Sequence, residues 1–194
     1  HTTSPCATAA TATATCSTSH GLPVGPATVT ATYLGSTNDS PSTSAPFTET
    51  TTATTTITGS HLGSLTVRAG ETLFIGPGAN VTGGITVNAG GFLDIEGAMV
   101  HGAISTTGAA GVRLCGSTLS GPITISRSTG LVVVGDDEGS PACAGNTING
   151  SVSITNNTGG VEFDNNVVTS SVTITGNTGS APPPDTGAVV AVGN

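Results

Sequence analysis

The sequence predicts an all-β protein, a parallel β-helix of about six coils of ~20 residues, preceded by a smaller β region. Three observations carry this. One short phrase recurs: GSLTVRAG, GGITVNAG, GAISTTGA, GPITISRS, GSVSITNN and SSVTITGN begin at residues 63, 83, 102, 121, 150 and 170. Apolar β-branched residues alternate with Thr and Ser, the mark of half-buried strands, and helical spacing of apolar residues is absent. Gly and Asn fall where corners are needed, and both reach positive φ cheaply.

Residues 1–56 form the first region. It holds CATAATATATCSTS and then HGLPVGPATVTATYLGSTNDSPSTSAP. ATVTATYLG reads as a strand entered through a Pro/Gly turn and followed by a polar loop. Leu22, Pro23, Gly25, Thr28, Val29, Thr30, Ala31, Thr32, Tyr33, Gly35, Ser42, Thr43 and Ser44 fit the pattern LPxGxHTVTATYxGDxxYxxSTS. In that respect the stretch resembles the last third of bacterial Ig-like repeats. The resemblance implies the final strands of a β-sandwich on a secreted or cell-surface protein. A whole sandwich takes about seven strands and ~100 residues. The region is therefore expected to be a partial Ig-like sandwich, either a fragment or a sheet completed by something else. ETTTATTTIT, residues 49–58, is a threonine tract that reads as a linker or an edge strand. Such tracts on exported proteins often carry O-glycans, which makes glycans a candidate partner.

Residues 57–194 form the repeat array, with coils at 64–83, 84–102, 103–121, 122–150, 151–170 and 171–194. The first strand of each coil aligns Leu65, Ile85, Ile104, Ile123, Val152 and Val172, then Val67, Val87, Thr106, Ile125, Ile154 and Ile174. The second aligns Leu73, Leu93, Val112, Val132, Val161 and Val189, with Ile75, Ile95, Leu114, Val134 and Phe163. The third aligns Val81, Val100, Leu119, Ile148 and Val168 or its neighbour. No coil can bury its apolar columns alone, so each needs the coils above and below. The longer fourth coil carries an insertion, DDEGSPACAG at 136–145. Pro77, Pro141 and Pro182, Pro183 and Pro184 fall at corners or insertions, and Pro122 falls at the start of a strand, where proline is tolerated.

Four cysteines, none in a CxxC pattern, make zinc a poor fit. Their even number in a lysine-free chain suggests two disulfides in an oxidising compartment, with four free buried thiols as the alternative. By proximity Cys6 pairs with Cys16 and Cys115 with Cys143. The array resembles exported right-handed β-helix repeat proteins of the actinobacterial GNT-x-x-G-S-x-x-I/V-x-x-NTG type. Asn146–Gly150 and Gly176, Asn177, Thr178 and Gly179 carry that signature.

Composition excludes several functions. The only cations besides histidine are Arg68, Arg113 and Arg127, and the formal net charge is −8. That removes the positive footprint nucleic acid requires, and binding to anionic lipid is excluded with it. No apolar run of about 18 residues is present, so membrane insertion is not expected. His1 begins mid-pattern, and any leader is expected to have been removed or to lie outside the chain.

The chemistry-bearing candidates are few. β-Helices host polysaccharide lyases and hydrolases, which need clustered carboxylates. Asp94 and Glu96 share one outward face beside Arg113, and Glu162 and Asp164 follow two coils on. They read either as an acid/base pair with an electrophilic arginine or as a surface ion pair, and the surface pair is the expectation. Asp136, Asp137 and Glu138 read as a solvated loop, with Ca²⁺ the alternative. The four histidines are dispersed, and no nucleophile elbow or P-loop is present, so no cofactor is expected. The one regular surface feature is a candidate ladder: Thr66, Thr86, Ser105, Thr124, Ser153 and Thr173, beside Arg68, Asn88, Thr107, Ser126, Thr155 and Thr175. Flat Thr-x-Thr faces resemble those of ice-binding β-helices.

The resulting expectation is a non-enzymatic, secreted or cell-surface structural protein. The chain stops mid-coil at AVGN and starts with an incomplete sandwich, which suggests a homo-oligomeric fibre subunit or stalk stacking head to tail. A polysaccharide-binding or polysaccharide-cleaving protein and an ice-binding protein are the alternatives.

Overall fold

The computed structural model describes residues 7–8, 14–15, 24–135, 143–180 and 189–190. It divides into two compact units, residues 22–52 and the remainder. The larger unit is a parallel β-solenoid built from three sheets, of seven, six and six strands. The first-position strands are Leu65–Val67, Ile85–Val87, Ile104–Thr107, Ile123–Ser126, Val152–Thr155 and Val172–Thr175. The second-position sheet runs Thr55–Ile57, Thr72–Ile75, Phe92–Glu96, Gly111–Cys115, Val132–Val134, Val161–Phe163 and Val189–Val190. The third-position sheet runs Ser60–His61, Asn80–Val81, Met99–Val100, Thr118–Leu119, Thr147–Ile148 and Val167–Val168.

The register matches the repeat columns residue for residue. Leu65, Ile85, Ile104, Ile123, Val152 and Val172 face one another in order. Leu73, Leu93, Val112, Val132, Val161 and Val189 do the same in the second sheet. Val168, not a neighbour, continues the third column from Ile148. One continuous cluster of buried Val, Ile, Leu and Ala runs through the rod, closed by Phe163. The threonine tract divides in two. Thr55–Ile57 is the first strand of the second sheet, while Phe47–Thr51 pairs antiparallel with Gly25–Val29.

The recurring glycine of the opening phrase has a steric cause. A Cβ on Gly83, Gly102, Gly121 or Gly150 would lie 1.9, 2.2, 2.4 or 2.3 Å from the carbonyl oxygen of the equivalent glycine one rung earlier. Backbone packs on backbone at this corner, and no side chain fits. The other corners work differently. Sequence reasoning gives Asn a φ > 0 role there, and Asn156 (φ 55) and Asn165 (φ 54) fill it, as do Arg127, Gly97, Gly108, Gly116 and Gly176. At each of these corners one residue turns inward. Along one corner these residues are Ala109, Ser128, Asn157 and Asn177, and along the other Ala98, Ser117, Asn146 and Asn166. All but Asn177, which is half-buried, are buried.

The inward asparagines bond rung to rung. Asn157 Oδ1 accepts from Ser128 N–H at 2.7 Å, and its Nδ2 donates to Ile125 O at 3.4 Å. Asn177 Oδ1 accepts from the N–H and Nδ2 of Asn157, and Asn177 Nδ2 donates to Ile154 O. Asn146 and Asn166 repeat the pattern on Ser117 N–H, Leu114 O and Val134 O. These amides satisfy buried backbone groups that a helical or sheet ladder would otherwise serve.

Residues 24–52 form a ribbon rather than a sandwich. Gly25–Val29 pairs with Phe47–Thr51, and Thr32–Tyr33 pairs with Ser42–Thr43. Between the pairs, two residues (30–31) oppose three (44–46), a bulge held by Ser44 N–H to Ala31 O at 2.8 Å and by Ala31 N–H to Ser44 Oγ at 3.0 Å. No residue of 24–52 is buried, and its described strands make two two-stranded sheets. The described residues show strands where the sequence places them, and they do not show the expected partial Ig-like sandwich. Cys6 and Cys16 and their predicted bond lie outside the described residues, as does the Asp136–Glu138 run.

The glycine contacts set a test. Replacing Gly102 by Ala destabilises the fold by about 1–3 kcal/mol in chemical denaturation, because the new methyl meets fixed backbone. At Gly59 a Cβ would have no neighbour within 4 Å, and φ is not positive. The same substitution there changes stability by no more than about 0.5 kcal/mol.

Candidate functional site

Three surfaces of the solenoid qualify as candidates: the outer face of the second sheet, the loop joined to it, and the outer face of the first sheet.

On the second sheet, pleating turns Leu93, Ile95, Val112 and Leu114 inward and Asp94, Glu96, Arg113 and Cys115 outward. Parallel pairing sets Arg113 directly beside Asp94. Arg113 Nη1 donates to Asp94 Oδ1 at 3.0 Å and also to Glu96 Oε1. The expectation of an exposed surface pair is corrected here. Asp94 is 0% exposed and Arg113 8%, and Glu162 and Asp164, further along the same face, are 5% and 2% exposed. Among the three ion-paired groups Glu96 keeps the most open surface, with 29% of its side chain accessible. Outward-pointing is therefore not the same as exposed on this sheet. Alternation identifies the face of a strand but says nothing about what lies over it.

The loop reaches the same face. Cys143 bonds Cys115 across 28 residues, as the sequence predicts. Both sulfurs are buried, in a small second cluster with Val133 and Leu131. The bond fixes the far end of the 136–145 insertion to the strand it follows by one rung. Together the bond and the Asp94–Arg113–Glu96 group make this face a second, outer layer of the fold.

The first sheet is the opposite case. Thr66, Thr86, Ser105, Thr124, Ser153 and Thr173 stand in one column, each paired with the next. Ser153 is half-buried and the other five are exposed. No hydrogen bond engages these six hydroxyls among the described residues. A second column, Thr107, Ser126, Thr155 and Thr175, runs beside it. Thr107 Oγ1 and Ser126 Oγ lie 3.4 Å apart, and Ser126 Oγ donates to Thr106 O at 3.2 Å. Arg68 and Asn88 occupy the corner beyond the first two strands of this sheet, and Arg68 pairs there with Glu71 at 3.8 Å. Rungs in a parallel sheet repeat at about 4.8 Å, so the columns form a regular, uncharged grid over the last four rungs.

Among the described residues no three His, Cys, Asp or Glu side chains are placed to hold a metal ion. Among them also, no helix is long and apolar enough to cross a membrane. Sequence reasoning found both hydroxyl columns and the Cys115–Cys143 bond. It missed the inward amides, whose signal was present as a rise in size from Ala to Ser to Asn at fixed positions.

Comparison with protein-family models, with curated proteins and with solved structures finds no match. The likenesses to Ig-like repeats and to exported β-helix repeats rest on the quoted motifs alone.

Burial of the ion-paired group generates a test. Replacing Arg113 by Ala leaves Asp94 charged and covered, and costs about 3–5 kcal/mol of unfolding free energy by denaturant titration. The same change at Arg68, 73% exposed at its side chain, costs less than about 1 kcal/mol.

Proposed function

We propose that the chain is a structural element of an exported protein, a β-helical spacer or stalk whose work is mechanical rather than catalytic. The observation that carries this is where its polar chemistry is spent. Arg113 binds Asp94 and Glu96, the inward asparagines bind the rungs before them, and the disulfide binds the insertion. Each of these groups joins one rung to another. The disulfide and the lysine-free, acidic composition support an oxidising, extracellular location. A polysaccharide-cleaving reading needs Asp94 and Glu96 to reach substrate together, and the burial of Asp94 speaks against it. End-to-end stacking through open strand edges is the self-association that a β-helix invites.

A second reading is favoured by one specific observation. The Thr66–Thr173 column is exposed except at half-buried Ser153, in register and free of protein hydrogen bonds among the described residues, which suits an ordered-water or ice surface. Its test is thermal hysteresis. On that reading the chain arrests ice growth, and Thr124→Tyr abolishes the arrest without loss of fold. No hysteresis in the unaltered chain rejects the reading.

The spacer reading is tested by pulling the chain by its two ends in an atomic-force instrument. The solenoid is expected to resist and then yield in steps of one or a few rungs, each about 3.3–3.6 Å per residue released. The segment closed by the disulfide, 28 residues in sequence separation, appears only after reduction, adding roughly 95 Å. Smooth extension without force peaks contradicts a mechanical role.

A further inference from the structure

Asparagine followed directly by glycine occurs once in the chain, at Asn149-Gly150. The pair makes the corner between Thr147–Ile148 of the third sheet and Val152–Thr155 of the first. Asn149 is exposed, and no hydrogen bond engages its carboxamide among the described residues. Its main chain, by contrast, is held. Asn149 N–H donates to Leu119 O at 2.9 Å, and Thr169 Oγ1 donates to Asn149 O at 3.3 Å.

An asparagine carboxamide is an electrophile for the main-chain nitrogen of the next residue. The five-membered imide that forms consumes that nitrogen's proton, so a hydrogen bond already made by the N–H stands in the way. Most asparagines of the rod are closed to attack on this ground. The N–H after Asn146 goes to Ser117 O at 2.9 Å, that after Asn157 to Ser128 O at 2.9 Å, that after Asn166 to Asn146 O at 2.8 Å and that after Asn177 to Asn157 O at 2.7 Å. The N–H after Asn156 goes to Asn177 Oδ1 at 2.9 Å, and in the ribbon Ser36 Oγ takes the N–H after Asn38 at 3.1 Å.

At Asn149 the pattern breaks. Among the described residues nothing accepts from Gly150 N–H. Gly150 also lacks a side chain to shield its nitrogen, and the corner requires that lack, because a Cβ there would overlap Gly121 O. Asn88 is exposed too, but Ala89 follows it and sets a methyl group beside the nitrogen. The close stacking of rungs thus places an unhindered, unbonded nitrogen next to a free carboxamide.

We infer that Asn149 is a self-modification site, and that its reaction ages the rod at the junction of the fourth and fifth rungs. Gly150 N attacks Asn149 Cγ, the Cγ–Nδ2 bond breaks, and Nδ2 leaves as ammonia with the Gly150 proton. Water then opens the imide at one of its two carbonyl carbons. Opening at Cγ leaves aspartate on an unchanged main chain. Opening at the main-chain carbonyl leaves an isoaspartyl link, which routes the chain through Cβ and Cγ and frees the former carbonyl of Asn149 as a carboxylate. That product adds one carbon to the main chain where backbone packs on backbone, so Gly150 no longer fits over Gly121. Water is the one co-reactant. The inference is independent of the spacer reading, which concerns load and not chemistry.

The test follows the unaltered, folded chain in mildly alkaline buffer. After reduction, cleavage at glutamate isolates residues 139–162, with Asn146, Asn149, Asn156 and Asn157, and residues 72–96, with Asn80 and Asn88. Mass spectrometry is expected to show Asn149 turning to aspartate and isoaspartate at least about 10-fold faster than any other asparagine of the two peptides, the ratio that one obstructing hydrogen bond supplies. An Asn149→Asp chain has the new charge without the extra carbon. It is expected to keep the denaturation midpoint of the fresh chain, while the aged chain, enriched in isoaspartate, falls below it. Reaction at Asn149 no faster than at the others, reaction in the denatured chain alone, or an aged chain as stable as the fresh one overturns the inference. So does an Asn149→Asp chain that loses as much stability as the aged one.

Discussion

Everything in the solenoid follows from stacking each rung directly on the last at the spacing of hydrogen-bonded strands. At about 4.8 Å there is room between equivalent positions for one side chain stacked on its like and for nothing else. A column must therefore agree with itself along the rod. Aliphatic columns satisfy this by burying methyl groups against methyl groups, which accounts for the succession Leu65, Ile85, Ile104, Ile123 and Val152. The third corner satisfies it more strictly still. There the main chains approach so closely that Gly83, Gly102, Gly121 and Gly150 admit no Cβ. A charged residue inside would be repeated against its own sign, and among the described residues the inward strand columns hold none.

Corners are where a solenoid is weakest, because the turning backbone leaves N–H and C=O groups with no strand partner. The two ends of this rod solve the problem differently. Early rungs close their corners within themselves, as at Gly76-Pro77-Gly78-Ala79, where Ala79 N–H reaches Gly76 O at 3.1 Å. Later rungs close them on each other, through Ser117, Asn146, Asn157, Asn166 and Asn177. Both kinds of corner carry backbone bonds between rungs, as Gly70 N–H to Gly90 O and Gly78 N–H to Gly97 O at 2.9 Å, and the second kind adds side-chain bonds to them. Substituting an inward asparagine would leave buried backbone donors unserved, each at about 1–3 kcal/mol. Cohesion through the corner amides therefore rises toward the C-terminal half, and the disulfide and the Asp94–Arg113–Glu96 group add their own links between the second, third and fourth rungs.

The columns are legible in the sequence because a period-two beat repeated every rung leaves little freedom of register. Thr66 through Thr173 and Leu73 through Val189 align from pattern alone. The Cys115–Cys143 bond is legible because the insertion starts one rung after Cys115, on the strand beside it. What the pattern does not carry is the second layer. Asp94 and Arg113 alternate as exposed residues do, yet segments distant in sequence decide whether an outer face is open. The Ig-like motif is a related case. ATVTATYLG does form strands, but a strand motif carries no information about the sheet meant to face it, and Val29 and Phe47 pair across a ribbon that leaves them 45% and 63% exposed. The corner asparagines stand out for their φ preference, while their neighbours' inward turn belongs to the three-dimensional path of the chain.

The most direct test of the stacked-rung account is a set of spin-label distances along the Thr column. Labels at Thr86 and Thr173 stand four rungs apart, and moving the first label to Thr66 adds one rung. Pulsed dipolar spectroscopy is expected to give a narrow distribution near ~20 Å for the first pair and one about 5 Å longer for the second. Distances that are broad, or that fail to lengthen by one strand spacing, would contradict the in-register stack on which the fold and the corner amides depend.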